Sequence, residues 1–333
     1  MPVNPLRFVK LDRFVLALLA TVGLAYLLPQ GGSPDSPLPL AAISSLGVSL
    51  IFFFYGLKLS PEKIRMGLRN WRLHLLVQST TFLMFPLLLL PFYPLMQGER
   101  QQLLWLALFF LAALPSTVSS SVVMVSIARG NIPAAIFNAS ISGIIGILLT
   151  PLWMGLFLQS QASAATGEAF DFSHIYGKLV LEIILPVALG IGLQRWGHGL
   201  ATRYSRQLSL FDRAIILLIV YKSFAESFAG GAFSAIRLLD LLLLLVLVLL
   251  LFFAVYGLVY WLTSLLGFSA EDKIAALFCG SKKSLVHGTV FSKVLFGQSA
   301  VVGLMLLPLM LYHALQILII SLIAGRYARD GRS

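Results

Sequence analysis

"FCGSKKSLVHG", residues 278–288, interrupts a stretch that is otherwise largely apolar from Ile274 to Phe296. Each charged side chain at the centre of a bilayer costs about 2.5–3.5 kcal/mol on insertion scales. Two adjacent lysines there, Lys282 and Lys283, demand a role that offsets that cost. The surrounding chain leaves little doubt about the setting. Of its 333 residues 59% are hydrophobic and 11% charged, against roughly 25% charged in a soluble domain. The fold class expected is an all-α integral membrane protein. The single cysteine, Cys279, excludes an internal disulfide or a cysteine-based metal site. The net charge of +11 is read as cytoplasmic loops at a lipid bilayer, not as a nucleic-acid surface.

Spans of about 20 apolar residues, separated by Gly, Pro and charge clusters, are expected at ten places: 13–29, 38–57, 73–95, 103–128, 132–160, 175–196, 208–228, 238–266, 273–296 and 299–325. Arg7, Lys10 and Arg13 before the run Phe14–Leu28 resemble the start of a signal peptide, but no small-x-small cleavage site follows. That run is therefore read as the first span. With the N-terminus inside, seventeen lysines and arginines fall on the cytoplasmic side. Three, Arg100, Lys178 and Arg237, fall outside, and four lie within spans. This asymmetry places both termini in the cytoplasm, and short basic loops fit a bacterial inner membrane.

The polar stretch "QASAATGEAFDFS", 161–173, divides the spans five and five. An odd number per half inverts the second half. The expected organisation is a first five-helix repeat over 1–160, an extracytoplasmic connector over 161–173 and an inverted repeat over 174–333. The fourth and ninth spans each carry a polar break midway and then reach a glycine corner, Gly130-Asn131 and Gly297-Gln298. Inverted halves with interrupted helices at matching positions are the signature of secondary transporters.

The fourth span reads "FFLAALPSTVSSSVVMVSIARGN". Pro115 removes a backbone donor and crowds the preceding turn. Ser116, Thr117, Ser119, Ser120 and Ser121 follow within six residues. Hydroxyls can satisfy freed backbone groups or bind an ion or substrate, and serines can also simply permit close helix packing. In the ninth span Gly280, Ser281, Lys282, Lys283 and Ser284 supply the matching break. Lys282 lies nine residues past Lys273, roughly 13 Å at helical rise. That depth is near the midplane of a core about 30 Å thick, too deep for easy snorkelling. Other polar candidates are Glu182, which could face a crevice, and His287, one turn past Lys283. Lys222 and Glu226 are spaced to pair on one helix face, and His313 reads as an interior histidine. A Gly-rich phosphate loop, metal-ligand spacing and an aligned catalytic set are all missing from the sequence, so an enzyme is not expected.

The combination "FFFYGLKLSPEKIR", "SSSVVMVSIARGN", "ILLTPLW", "ILPVALGIGLQRW" and "GSKKSL", in that order, resembles the bile acid:sodium symporter family. It is most similar to an orphan branch of bacterial members related to one vertebrate member. The resemblance implies a panel of helices 1, 2, 6 and 7, and a core of the other six. Helices 4 and 9 would be unwound and cross, and transport would follow by alternating access. It implies a small organic anion as substrate, Na+ as coupling ion, no other cofactor and no obligate protein partner. Anchored on "ARGN", the family's helix-4 sodium ligands fall on Ser121 and Val122, and its helix-5 hydroxyls on Ala135 and Ala139. Asn138, Ser140 and Ser142 are neighbours that can substitute, so sodium is expected near Ser121, Asn138 and Ser142. The family's helix-9 glutamate falls on Phe278 and its glutamine on Lys282, while its helix-3 glutamine corresponds to Gln78. An ammonium here would repel sodium or replace it as a built-in cation. Lys282 or Lys283 would then meet an anionic substrate group or gate proton coupling. The alternatives are sodium-independent or proton-coupled anion transport, and a non-transporting membrane regulator.

Overall fold

The structure is a computed structural model. It describes residues 13–32, 39–58, 70–117, 119–166, 177–234, 236–297 and 301–330, with backbone only for Ser119, 159–166 and Asp330. The N-terminal basic residues Arg7 and Lys10, the loop residues Lys63, Arg65 and Arg69, most of the expected connector and the corner residue Gln298 lie outside the described residues. All regular structure among the described residues is helical. The helices are α1 (Arg13–Leu27), α2 (Leu40–Lys58), α3 (Trp71–Leu95), α4 (Glu99–Ala113), α5 (Ser119–Ile127), α6 (Ile132–Thr166) and α7 (Gly177–Gly192). They continue with α8 (Gln194–Arg203), α9 (Ser205–Ala229), α10 (Leu238–Leu265), α11 (Ala270–Gly280), α12 (Leu285–Phe296) and α13 (Val302–Asp330).

Five of these helices are long and apolar enough to cross a membrane unaided: α2, α3, α6 over Ile132–Leu158, α10 and α13 over Val302–Arg329. A sixth is α7 if counted with α8, which turns away at 99°. The others under the expected spans fall short for visible reasons. The fourth and ninth spans are each split into two half-helices, α4–α5 and α11–α12. Helix α1 is short, and α9 carries Arg206, Asp212, Arg213, Lys222 and Glu226. The bend after α7 departs from the continuous span expected over 175–196. Helix α8, "QRWGHGLATR", keeps Trp196 and Leu200 exposed beside Arg195 and Arg203, the composition of a helix lying in a membrane interface.

The helices sort into two packed groups. In one, α1 and α2 pack on α9, and α2 packs on α7. The contact between α2 and α7 needs glycine: a Cβ on Gly56 would strike the backbone of Val187 and Gly190, and one on Gly190 the backbone of Phe53 and Gly56. The other group holds α3, α4, α5, α6, α10, α11, α12 and α13. Its core is apolar and aromatic, with Phe109 and Trp105 stacked and both against Phe157. Outward-facing Leu242, Leu243, Val246, Leu250 and Phe253 on α10 stay exposed. In water that apolar face would be costly; against lipid it is the expected surface.

Two helices contain a single π-turn just before a proline, Thr80–Met84 before Pro86 and Val180–Ile184 before Pro186. Proline has no N–H and its ring collides with the carbonyl four residues back. Widening one turn moves that carbonyl aside. In α3 the N–H of Phe85 accordingly reaches Thr80 O. The carbonyl oxygens of Thr81 and Phe82 are thereby freed. Phe82 O accepts from the Trp153 indole at 2.8 Å; Thr81 O accepts from the ammonium of Lys283.

Candidate functional site

The two breaks meet. Helix α4 ends because Leu114, held extended by the following proline (ψ 153°), cannot continue it. Residues 114–117 are non-helical, and α5 starts at Ser119. Helix α11 ends at Gly280, residues 281–284 are unwound, and Ser284 caps α12 by accepting from the His287 N–H at 3.3 Å. Across the crossing, the Ser284 N–H donates to Pro115 O at 2.9 Å. The Thr117 hydroxyl donates to Lys283 O at 3.0 Å, and the Ser116 hydroxyl donates to Cys279 O.

Four carbonyls at the end of α4 have donors other than an ordinary helical N–H. Leu111 O receives the Leu114 N–H at 3.3 Å, and Ala113 O receives the Thr150 hydroxyl at 2.8 Å. Ala112 O and Leu114 O both receive the ammonium of Lys283, at 2.6 and 2.8 Å. Its third N–H goes to Thr81 O at 2.7 Å, the carbonyl freed by the π-turn of α3. The same ammonium stands 4.0 Å from the centre of the Phe85 ring, a cation–π geometry. An ammonium has three donors, so Lys283 has none left for a substrate. The expectation that either lysine could meet an anion therefore narrows to Lys282.

Lys282 is placed differently. Its side chain is fully buried, and it donates to the Ser120 hydroxyl at 3.2 Å. Ser120 lies in the first turn of α5, where backbone N–H groups lack helical partners and the helix dipole is positive. A lysine at the positive end of a helix is electrostatically misplaced unless an anion joins it. The neighbouring Ser121 hydroxyl is buried with no hydrogen-bond partner.

The remaining expected residues divide into support and open positions. Ser142 accepts from the Ser116 N–H at 2.9 Å, and Asn138 donates to Ala134 O at 3.1 Å while its Oδ1 accepts from Gln78 Nε2 at 3.2 Å. The Gln78 Oε1 is buried without a partner. Ser281 donates to Leu277 O, ending α11 tightly. Gly280 is buried facing Thr80. His287 Nδ1 is 2.9 Å from the Ser284 hydroxyl, while its Nε2 is buried and unpartnered. A Cβ on Gly143 would fall 3.0 Å from that nitrogen and 2.7 Å from the Tyr55 hydroxyl. Glu182 sits on the π-turn of α7 and pairs with Lys293 of α12 at 3.5 Å. The Lys222–Glu226 pair forms as spaced.

Residues missed by sequence reading complete the crossing. Gln316 on α13 holds the backbone of Lys283 twice, accepting from its N–H at 2.8 Å and donating to its carbonyl at 2.9 Å. The Tyr312 hydroxyl donates to Ser281 O at 2.6 Å. One glutamine and one tyrosine in a long apolar helix carried too little signal to be singled out. Lys293 was counted as lying within a span, and its partners Glu182 and Ser45 come from distant segments.

A sodium ion needs oxygen ligands. The positions onto which the family's ligands fall are mostly apolar: Ala135, Ala139 and Phe278 are all fully buried, with Phe278 edge-on to Tyr327. The buried oxygens that could serve are Ser121 Oγ and Gln78 Oε1, both without partners, together with Asn138 Oδ1. Among the described residues no cluster of three or more His, Cys, Asp or Glu side chains is present to hold a metal.

Comparison with known proteins gives the chain its relatives. The chain is 42% identical to the Pseudomonas aeruginosa protein PA2026 over 96% of its own length and 93% of the relative's. It is 34% identical to YfeH of Escherichia coli, named as a candidate symporter, over 96% and 94%. It is 30% identical to zebrafish sodium/bile acid cotransporter 7 over 95% and 93%. A family model covers residues 12–329, nearly the whole chain. The resemblance read from the motifs of helices 2, 4, 5, 6 and 9 thus holds along the length, and the protein is a multi-pass membrane transporter by kinship, not an enzyme. The chain belongs to the SBF-like CPA transporter family.

Proposed function

We propose that this protein is a sodium-coupled secondary transporter of small organic anions, working by alternating access. It would cross a bacterial inner membrane ten times, as two inverted five-helix repeats with both termini in the cytoplasm. Helices α1, α2, α7 and α9 form the panel, and the other group moves against it. The observation that carries this reading is Lys282. Its ammonium is buried and bonded to a hydroxyl in the first turn of α5. Half-helix N-termini at interrupted helices are where transporters hold anionic substrate groups. Lys282 and the α5 N-terminus together favour one negative charge, which a carboxylate or sulfate supplies. Tyr55 and His287 meet between panel and core, with their rings 6.1 Å apart, and would line the path beside it.

Ser121, Asn138 and Gln78 are the residues that would hold sodium, through the side-chain oxygens that remain unpaired or only weakly engaged. Bound sodium would supply the gradient energy; the chain's own part is to bring the anion and the core into register. The names of the vertebrate relatives, sodium/bile acid cotransporters, support sodium and an amphipathic anion as first probes.

The test is uptake of a labelled bile acid and a panel of smaller carboxylates and sulfates into proteoliposomes. An inward sodium gradient is compared with a potassium gradient. Saturable uptake driven by sodium and lost in Lys282→Met supports the reading. Saturable uptake indifferent to sodium keeps transport and removes the coupling ion. Uptake no greater than in empty liposomes for every anion sinks it.

A further inference from the structure

Lys283 is fully buried, and among the described residues no carboxylate pairs with it. Its three N–H groups all go to backbone carbonyls, two from the C-terminal end of α4 and one from the π-turn of α3, and the Phe85 ring faces the charge at 4.0 Å. The end of a helix carries roughly half a negative charge on such carbonyls. Converging carbonyl oxygens that replace a hydration shell are how proteins hold monovalent cations, and unwound carbonyls with half-helix C-termini are where transporters place a coupling ion. The oxygens come from segments that sequence alone would not bring together. They are left without helical partners by two prolines, Pro86 and Pro115, and they converge on one nitrogen.

We propose that the ammonium of Lys283 is a built-in cation, permanently filling a monovalent-cation site formed by the carbonyl oxygens of Thr81, Ala112 and Leu114. The lysine is positioned for this by Gln316, which fixes its backbone on both sides. The consequence deepens the transport reading: no free ion is taken up or released at this position during a cycle, so any coupled sodium binds elsewhere. The neighbouring lysines then divide the work by the sign of the helix end they face. Lys283 neutralises the negative end of α4, and Lys282 adds to the positive end of α5.

The occupancy can be measured without substrate, so it can fail while transport stands, and the reverse. Wild type, Lys283→Ala and Lys283→Gln are purified in detergent. Their thermal unfolding is followed in choline chloride, with ammonium or methylammonium replacing choline at fixed ionic strength. Wild type should be unmoved by the replacement. Lys283→Ala, with the cavity open and the carbonyls bare, should melt roughly 10 °C lower in choline. It should regain at least half of that loss with methylammonium, which reproduces the Cε–Nζ end of the missing side chain. Lys283→Gln should be destabilised and not rescued, because its amide fills the space without the charge. Recovery of Lys283→Ala only when methylammonium is present during purification supports the proposal equally. The proposal is overturned if Lys283→Gln is as stable as wild type, or if Lys283→Ala responds to no cation or cannot be recovered in any.

Discussion

The Ser284 N–H donates to the carbonyl of Pro115 at 2.9 Å, joining the two helix breaks from opposite halves of the chain. Each group is free because its own helix has stopped. Pro115 belongs to the extended stretch that ends α4, and Ser284 is the cap from which α12 begins. In hydrocarbon an unpaired backbone group costs several kcal/mol, so two breaks at the same depth stabilise one another as neither could alone.

The ring of Pro115 is held in place by Gly146 of α6, where an added Cβ would fall 2.8 Å from the ring carbons. The ring has no room to retreat, since the break it belongs to is bonded on its far side to Ser284. Gly146→Ala should therefore lower stability by about 1–3 kcal/mol. Gly23→Ala, with nothing within 4 Å of the new methyl, should be neutral or slightly stabilising. Thermal unfolding of the two variants in one detergent compares them directly, and equal melting temperatures would contradict the packing.

Removing the charge of Lys282 should abolish the anion contact with little loss of fold, because among the described residues its ammonium has one hydrogen bond, to the Ser120 hydroxyl. A hydrogen bond to a charged group contributes about 1.5–3 kcal/mol, so Lys282→Met should weaken anion binding by roughly 10- to 150-fold. Lys282→Arg should retain part of it. Equilibrium binding of a labelled bile acid anion to the purified protein reads this out. Unchanged affinity in Lys282→Met would move the anion site elsewhere.

The membrane class, the positions of the helices and the two breaks were legible in the sequence because each has a local cause. Apolar length, Pro115, Gly280 and the serines beside them all act on their own turn. The division of labour between Lys282 and Lys283 was not legible. Adjacent residues on the chain, they separate only when residues 281–284 unwind, and what each meets is set by α3, α4 and α5. Lys283 depends on a carbonyl at Thr81 that is free only because of a π-turn, a feature with no composition of its own. The bend after α7 was missed for a related reason. The sequence "GIGLQRWGHGL" continues a helical pattern through Leu193, and the turn follows from the exposed Trp196 and Leu200 seeking an interface.

Gln316 should prove among the most sensitive polar positions. It serves both the N–H and the carbonyl of Lys283, and it is fully buried. Gln316→Leu would leave the buried Lys283 N–H unpaired, at about 1–3 kcal/mol, and would take one of the two donors from its carbonyl, which keeps the Thr117 hydroxyl. It should cost more than Tyr312→Phe, which removes a donor from the carbonyl of Ser281 alone. The melting temperatures should fall in that order. The reverse order would mean that water or a relaxed backbone replaces the glutamine.

The Lys293–Glu182 pair links the two packed groups, since Lys293 rides on α12 and Glu182 on α7. Lys293 also donates to Ser45 on α2. Both side chains of the ion pair remain partly open, 17% and 21% exposed, and at 3.5 Å the contact is long. Solvent screening should hold its coupling to about 1 kcal/mol or less, small enough for the two groups to part during a transport cycle. A double-mutant cycle with Lys293→Met and Glu182→Gln, read by thermal unfolding, should return a coupling of that size. It should shrink as salt is raised. Additive effects of the two substitutions would show that the pair does not hold the groups together. A coupling several-fold larger, insensitive to salt, would describe a fixed joint and would be incompatible with these helices separating at each turnover.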